Sequence, residues 1–117
     1  MHVIPELSAL PPDNQPPVVE MKMADGVFIK QMLIETAGTY IPQHSHSYDH
    51  TSMLAVGSVR LWKDGLWAGD FIAPAGITIV AGVAHTFMAL ENRTIVYCIH
   101  NVSRSGEVDI MELGGAF

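Results

Sequence analysis

Between residues 18 and 101 the chain alternates short apolar runs with breaks that contain Gly, Pro or Asp. The runs are rich in Val, Ile, Thr and aromatic residues, and no window of about twelve residues keeps a helical period with caps at both ends. Nine short runs with frequent turns predict an all-β sandwich or barrel. We predict strands at about 18–24, 27–36, 39–44, 50–57, 58–63, 66–72, 77–80, 84–90 and 94–101.

The segments between the runs predict where the chain turns and where it does not fold into the sheets. Asp25-Gly26, Asp64-Gly65 and Glu91-Asn92-Arg93 have the residue types that tight turns need. Five of the seven prolines lie in residues 1–17, and proline lacks the donor of a sheet ladder, so this segment is predicted to be an extended arm. No repeat or composition shift indicates a second domain, and 1–117 is predicted to be one domain.

Composition and charge narrow the classes of protein and of partner. Apolar types make up 49% of the chain and charged types 15%, which favours a folded core over disorder. The net charge of −6 argues against nucleic-acid and anionic-membrane partners. No apolar run reaches the roughly 20 residues of a membrane span. Cys98 is the only cysteine, so an internal disulfide is excluded. Because the N-terminus also does not resemble a secretory signal, we expect the protein in the reducing cytoplasm.

Three of the six histidines fall within seven residues. His44 and His46 are two apart, so both side chains project to one face of an extended segment. His50 opens the next apolar run, and His85 lies between two later runs. Such a group can chelate a divalent metal, whereas burying it without metal would leave several polar groups unpaired. Isolated histidines are more often satisfied in the core or exposed, and His2 and His100 are interpreted in that way, with His100 at a strand end.

The spacing around these histidines follows a known motif. The first half of the motif is matched by Gly38, five residues, His44-x-His46, three residues, His50, six residues and Gly57. In the motif, glutamate usually occupies the position of His50.

The second half normally contains Pro-x-Gly-x-x-His, with Asn four residues later. Here Gly82 and His85 match, whereas Val80 and Ala89 depart from the pattern. Gly69-Asp70 and Pro74 are similar to residues that often precede this half. In both halves the chain resembles the cupins, most closely the small single-domain members with four metal-binding histidines.

The resemblance implies the cupin double-stranded β-helix, a jelly-roll barrel, with metal-site motifs at 38–57 and 69–89. It implies one divalent metal on His44, His46, His50 and His85, with manganese first and iron, nickel, zinc or copper as alternatives. Four ligands leave two octahedral positions for water or a small-molecule ligand. Because imidazole replaces a carboxylate at residue 50, the summed charge of ion and ligands rises to +2, which favours anionic or enolisable ligands.

Two classes of function remain open, an enzyme and a non-catalytic binding protein. As an enzyme, the protein could carry out dioxygenase-like or isomerase- or lyase-like chemistry, since both occur on this fold. The rival is a non-catalytic barrel that binds a metal or a small ligand as a sensor, carrier or store.

Strand alternation predicts which side chains line the site. Counting from the histidines places Ser52, Leu54, Val56 and Phe87 on the inner wall, which is then apolar apart from the histidines and Ser52. The candidate catalytic residues are Tyr48, Asp49 and Ser52, although Tyr48 and Asp49 are also ordinary loop residues. The Cys98 thiol is interpreted as buried and inert, and Trp62 and Trp67 as cross-strand packing.

The predicted outward faces are more apolar than solvent requires. We therefore expect a symmetric homodimer through one sheet, with the arm crossing to the partner. The outward residues are Thr51, Met53, Ala55, Thr86, Met88 and Leu90.

Overall fold

The computed structural model describes residues 13–44 and 49–101, and within them it forms nine strands and no helix. Every strand end lies within two residues of its predicted position. The all-β prediction is confirmed. The strands are β1 (Val18–Ala24), β2 (Val27–Ile34), β3 (Tyr40–His44), β4 (His50–Val56), β5 (Ser58–Lys63), β6 (Leu66–Ile72), β7 (Ala75–Ile79), β8 (His85–Ala89) and β9 (Thr94–Asn101).

The strands form two antiparallel sheets that share one core. One sheet has the order β1-β2-β9-β4-β7, and the other has the order β3-β8-β5-β6. Strands distant in sequence are neighbours in both sheets, as β2 with β9 and β3 with β8. Along the chain, most successive strands lie in opposite sheets, and this repeated crossing from one sheet to the other is the arrangement of a jelly roll.

The hairpin turns form where the sequence predicts them. Asp25 and Gly26 have φ values of 50° and 76°, and Asp64 and Gly65 have values of 50° and 82°. Both central residues are therefore left-handed, as a two-residue turn between twisted strands requires. Arg93 also has a positive φ, 59°, in the third predicted turn.

The core between the sheets is apolar at one end. Its residues come from seven of the nine strands, because the inward side chains of each strand alternate with outward ones. The buried cluster consists of Met32, Ile34, Ile41, Leu54, Val59, Leu61, Ile77, Ile79, Phe87, Ala89, Val96 and Cys98.

Thr86 was predicted on the outward face of its strand, and it is fully buried there. Its cross-strand partner Trp62 is also buried, and the Trp62 ring lies 5.8 Å from that of Tyr40. Bulky side chains thus cover the outer face of the four-stranded sheet at this point.

The predicted arm is described only from residue 13 onward. Asn14 binds the backbone of Tyr40 twice, with its side-chain oxygen accepting from the amide at 2.8 Å and its nitrogen donating to the carbonyl at 3.1 Å. Residue 14 is therefore held on its own chain beside β3. Among the described residues, no helix is long and apolar enough to cross a membrane.

Candidate metal centre

Three of the four predicted metal ligands lie at strand termini that the topology brings to one end of the fold. β3 ends at His44, while β4 and β8 begin at His50 and His85. The Cα atoms of His44 and His85 are cross-strand partners. His46 and Tyr48 lie outside the described residues, and of His44 only the strand position is described.

The side chains of His50 and His85 meet between the two sheets. They are 5% and 0% exposed, and their ring centroids are 5.1 Å apart with an interplanar angle of 46°. Phe87 lies edge-on to His85 at 5.8 Å and shields it from one side. The two imidazoles thus come from different sheets into one buried space.

One ring nitrogen of His85 faces the backbone. Its Nδ1 lies 3.5 Å from the carbonyl oxygen of Val83. Since a carbonyl can only accept, this long contact favours the tautomer that is protonated at Nδ1 and leaves the Nε2 lone pair available to a metal.

The described imidazoles fit a shared metal ion. If the ligating nitrogens of His50 and His85 each lay about 2 Å from one ion, ring centroids near 5 Å apart would be expected. The described residues alone contain no group of three or more His, Cys, Asp or Glu side chains that could hold a metal. The full four-histidine set stays a prediction.

Three of the four predicted wall residues are buried, and one is not. Ser52 and Leu54 are fully buried, and Phe87 is nearly so. Val56 is 48% exposed, so its predicted inward orientation is wrong. The register between β4 and β9 shifts between Leu54 and Val56, because a bulge there interrupts the alternation.

The two described catalytic candidates have structural contacts. The Asp49 carboxylate is exposed and accepts a hydrogen bond of 2.7 Å from the amide of Ala81, joining the segments that precede β4 and β8. The Oγ of Ser52 lies 3.7 Å from the Sγ of Cys98. Cys98 is buried, as predicted.

The inner wall is more polar than the sequence analysis predicts. Lys30, Cys98 and His100 are all buried, and each occupies an inward position of its strand, on the same face as apolar residues. Thr51 pairs with Ile99, which puts His100 beside His50 on the inner face. The inward register of β9 would have indicated His100, whereas a lysine on an apolar face has no comparable signal.

All eight described side-chain carboxylates are exposed, so the described inner wall is free of acidic groups.

One of these carboxylates, Asp70, binds Arg60 through two hydrogen bonds of 2.9 and 3.0 Å on the outer surface. The hydrogen bonds from Arg60 lower the pKa of the Asp70 carboxyl, and a further one from Trp67 Nε1 contributes. The same pair raises the pKa of Arg60.

Comparison with solved structures identifies the architecture. No family model and no curated protein sequence matches the chain. An RmlC-like cupin from Desulfovibrio desulfuricans superposes with a TM-score of 0.64 at 20% identity, over 86% of this chain and 97% of that one. An RmlC-like cupin with a double-stranded β-helix from Methanocaldococcus jannaschii gives 0.63 at 13% identity, over 91% and 100%. KdgF from Halomonas sp. gives 0.60 at 13% identity, over 69% and 75%.

This chain has the cupin fold. The cupin motif glycines Gly38, Gly57 and Gly82 have φ values of 86°, 88° and 80°, a region that other residues rarely adopt. At Gly57 a Cβ atom would also collide with Oγ1 of Thr94. The motif glycines are therefore required by the backbone at the bends of the cupin barrel.

Proposed function

We propose that this cupin barrel holds one divalent metal ion on His44, His46, His50 and His85 and binds a small anionic or enolisable organic molecule there. The observation that carries the proposal is the approach of the buried His50 and His85 rings to 5.1 Å, at the end of the barrel where His44 is paired with His85.

The residues around the ion would exclude water and orient the ligands. When bound, a divalent ion supplies Lewis-acid or oxygen-activating chemistry. Phe87 and Leu54 would give the site apolar walls, while the Val83 carbonyl lies 3.5 Å from Nδ1 of the His85 ring. A wall of this kind suits a small, largely apolar molecule with one metal-binding group.

Metal analysis of the native protein tests the proposal directly. Plasma mass spectrometry on protein purified without chelator is expected to give about one divalent ion per chain, with manganese first among the candidates. His85→Ala should remove most of the metal, whereas the buried but apolar-to-apolar change Leu54→Met should not. The proposal would be contradicted if the purified parent protein contained no metal and took up none when manganese, iron, nickel, zinc or copper was added.

Two reaction classes are compatible with such a site. Dioxygenase-like and isomerase- or lyase-like chemistry differ in their need for oxygen, so turnover of diketones, keto acids and phenolics is to be compared with and without air. Product formation only in air indicates the first class, and formation in both conditions indicates the second.

A non-catalytic metal or ligand-binding barrel is the second candidate. It is favoured by the absence of Asp and Glu from the inner wall of the described residues, since these are frequent proton-transfer groups. Tight ligand binding by the metal-loaded protein, without turnover in either atmosphere, would select this candidate.

We also propose that two copies associate through the outer face of one sheet. The outer face of the five-stranded sheet carries exposed Val18, Met53 and Val56 and half-buried Ile95 and Ile99. Apolar side chains grouped on a sheet surface are typical of an interface between subunits.

A further inference from the structure

The outer face of the five-stranded sheet has almost no charged residues. The strand register arranges its outward side chains in rows that cross adjacent strands, of which two cross all five. One of these two rows is Glu20, Gln31, Tyr97, Met53 and Gly76, and the other is Lys22, Ile29, Ile99, Thr51 and Thr78. The shorter rows on either side are Val18, Leu33, Ile95 and Val56, and Ala24, Val27 and Asn101. In these rows Glu20 and Lys22 are the only charged residues.

This distribution of charge fits a second copy of the chain as the partner of the face. The whole chain has a net charge of −6, so two copies repel each other unless the surfaces that meet have no net charge. On this face the charges of Glu20 and Lys22 cancel. Both residues are exposed and lie on β1, which is an edge strand, so the face has an apolar centre and a charged rim, as protein interfaces commonly have.

The positions of Glu20 and Lys22 distinguish two possible arrangements of the copies. When two such sheets pack with their strands aligned, the two-fold axis between them runs nearly along the strands or nearly across them. An axis along the central strand β9 puts β1 opposite β7 of the partner subunit, whose outward residues are Gly76 and Thr78, so both charges stay unpaired. An axis across the strands, midway between the Glu20 row and the Lys22 row, puts each row opposite the other. Each Glu20 then faces Lys22 of the partner subunit.

The surface between the two rows has room for a side chain of the partner subunit. A depression of about 230 Å³ lies there, lined by Glu20, Lys22, Ile29, Gln31 and Tyr97. The Tyr97 hydroxyl donates a hydrogen bond of 2.7 Å to Oε1 of Gln31, so the polar end of the ring already has a partner when the ring is covered. A lysine side chain entering the depression would therefore meet the Glu20 carboxylate beside apolar and hydrogen-bonded groups.

We propose that two copies pack through this face about a two-fold axis that runs across the strands, with Glu20 of each copy bound to Lys22 of the other. This inference rests on the proposed dimer and names the residues that orient its subunits. A face of five strands covers roughly 500 Å², so the two copies together bury about 1,000 Å², which is at the low end for a specific interface. Two ion pairs are therefore a measurable part of the affinity.

Charge reversal on β1 tests the pairing. Sedimentation velocity gives the dissociation constant of the parent dimer and of each variant. Glu20→Lys and Lys22→Glu are each expected to raise this constant about tenfold or more, because each puts like charges opposite one another. Glu20→Lys replaces −1 with +1 and so changes the net charge from −6 to −4, which by itself would favour association. Dissociation constants that stay at the parent value in both variants would overturn the inference.

A mixture of the two variants tests the symmetry. Glu20→Lys has lysine at positions 20 and 22, and Lys22→Glu has glutamate at both, so a mixed dimer regains two attractive pairs. With one variant labelled by a fluorophore, mixed dimers are expected to form with a dissociation constant within about threefold of the parent value. The double variant Glu20→Lys/Lys22→Glu should also dimerise like the parent, since each pair is only reversed. Mixed dimers no tighter than those of the single variants would overturn the proposed axis.

A matched control separates the local contact from the overall charge. Lys63→Glu makes the same change in net charge as Lys22→Glu, but Lys63 ends β5 in the other sheet, so the dissociation constant should stay within about twofold in physiological salt. Circular dichroism verifies that every variant is folded. If the parent protein is monomeric, the proposed dimer fails, and the inference fails with it. If the parent dimerises and the mixture shows no preference for mixed dimers, only the arrangement of the subunits fails.

Discussion

His50 stands at the position where the cupin motif usually has glutamate, and it is buried beside His85. Replacing it with glutamate would lower the summed charge of the ion and its ligands by one unit. His50→Glu is expected to keep a divalent ion, because a carboxylate suits manganese or iron at least as well as imidazole. Its affinity for simple carboxylates should fall, and a higher oxidation state of the metal should become easier to reach.

Carboxylate titration together with voltammetry or electron paramagnetic resonance measures both effects. His50→Ala is the comparison variant, since it removes a ligand without adding charge and should weaken metal binding. If His50→Glu binds carboxylates as tightly as the parent, the charge of the site does not select the ligand.

Asp70 gives a pH-dependent contribution to stability on the outer surface. Arg60 and then Trp67 lower the pKa of its carboxyl through hydrogen bonds. A carboxyl whose pKa is lower in the folded state stabilises the fold above its ordinary pKa, near 4, and the contribution is lost as the pH falls through the folded value. Because the Arg60–Asp70 pair is partly exposed, Asp70→Asn should lower the free energy of unfolding by no more than about 1 kcal/mol at pH 7.

Urea unfolding of metal-free parent and Asp70→Asn at pH 7, 5 and 3 measures this difference. The difference between the two proteins is expected to be smaller at pH 3 than at pH 7. A difference that stays constant over this range would mean that the ion pair is not its source.

Individual residues were predictable from sequence where alternation holds and unpredictable where it breaks. The inward positions of Ser52 and Phe87 follow from counting in twos along a regular strand. Val56 does not, because the bulge after Leu54 depends on how β9 aligns with β4. Lys30 was not predicted either, since a charged side chain on an apolar strand face gives no sign of what surrounds it after folding.

At the scale of elements, the hairpins and strand ends were predictable because their signals are local. Asp-Gly pairs specify a left-handed turn wherever they occur between strands. The pairing of distant strands, such as β2 with β9, has no local signal and entered only through the resemblance to the cupins.

The motif glycines provide a test of what the bends require. Gly38 and Gly57 have nearly equal φ values, but only at Gly57 does an added Cβ meet neighbouring atoms, with Cα of Thr94 at 3.1 Å. Gly38→Ala should therefore cost only the backbone strain, about 1–2 kcal/mol. Gly57→Ala should cost clearly more, because Thr94 must move and its hydroxyl holds the carbonyl of Glu91 at 2.9 Å. Chemical denaturation of the two variants measures the difference, and equal losses would show that Thr94 shifts without cost.

At the scale of the whole molecule, the proposed four-histidine metal site would couple metal binding to stability. Ligation needs neutral imidazoles, and four must lose their protons together, so the metal should dissociate steeply below about pH 6. Because the ion binds the native state, the metal-loaded protein should also melt at a higher temperature than the metal-free protein. Metal content and melting temperature are measured between pH 8 and 4.5. A metal content that is flat over this range would contradict histidine ligation.

The sequence did not predict which of the two outer sheet faces is exposed to solvent. Alternation assigns Met53 and Met88 equally to the outside, yet Met53 is exposed, whereas Met88 is partly covered and lies beside buried Thr86. The difference arises because Trp62 and Tyr40 pack over the four-stranded sheet. The location in the cytoplasm and the path of the arm before residue 13 stay predictions.

The uncovered face of the five-stranded sheet leads to the last prediction. If two copies associate there, light scattering at micromolar concentration should give twice the chain mass of 12.7 kDa. Ile95 lies between Leu33 and Val56 in the register, on the central strand of that sheet, so Ile95→Lys should bury an unpaired charge and yield monomers. Ile72→Lys is the matched control, because this side chain is 79% exposed on the other sheet and should leave the dimer intact. A parent protein that is monomeric would contradict the dimer, and the apolar face would then lie in solvent.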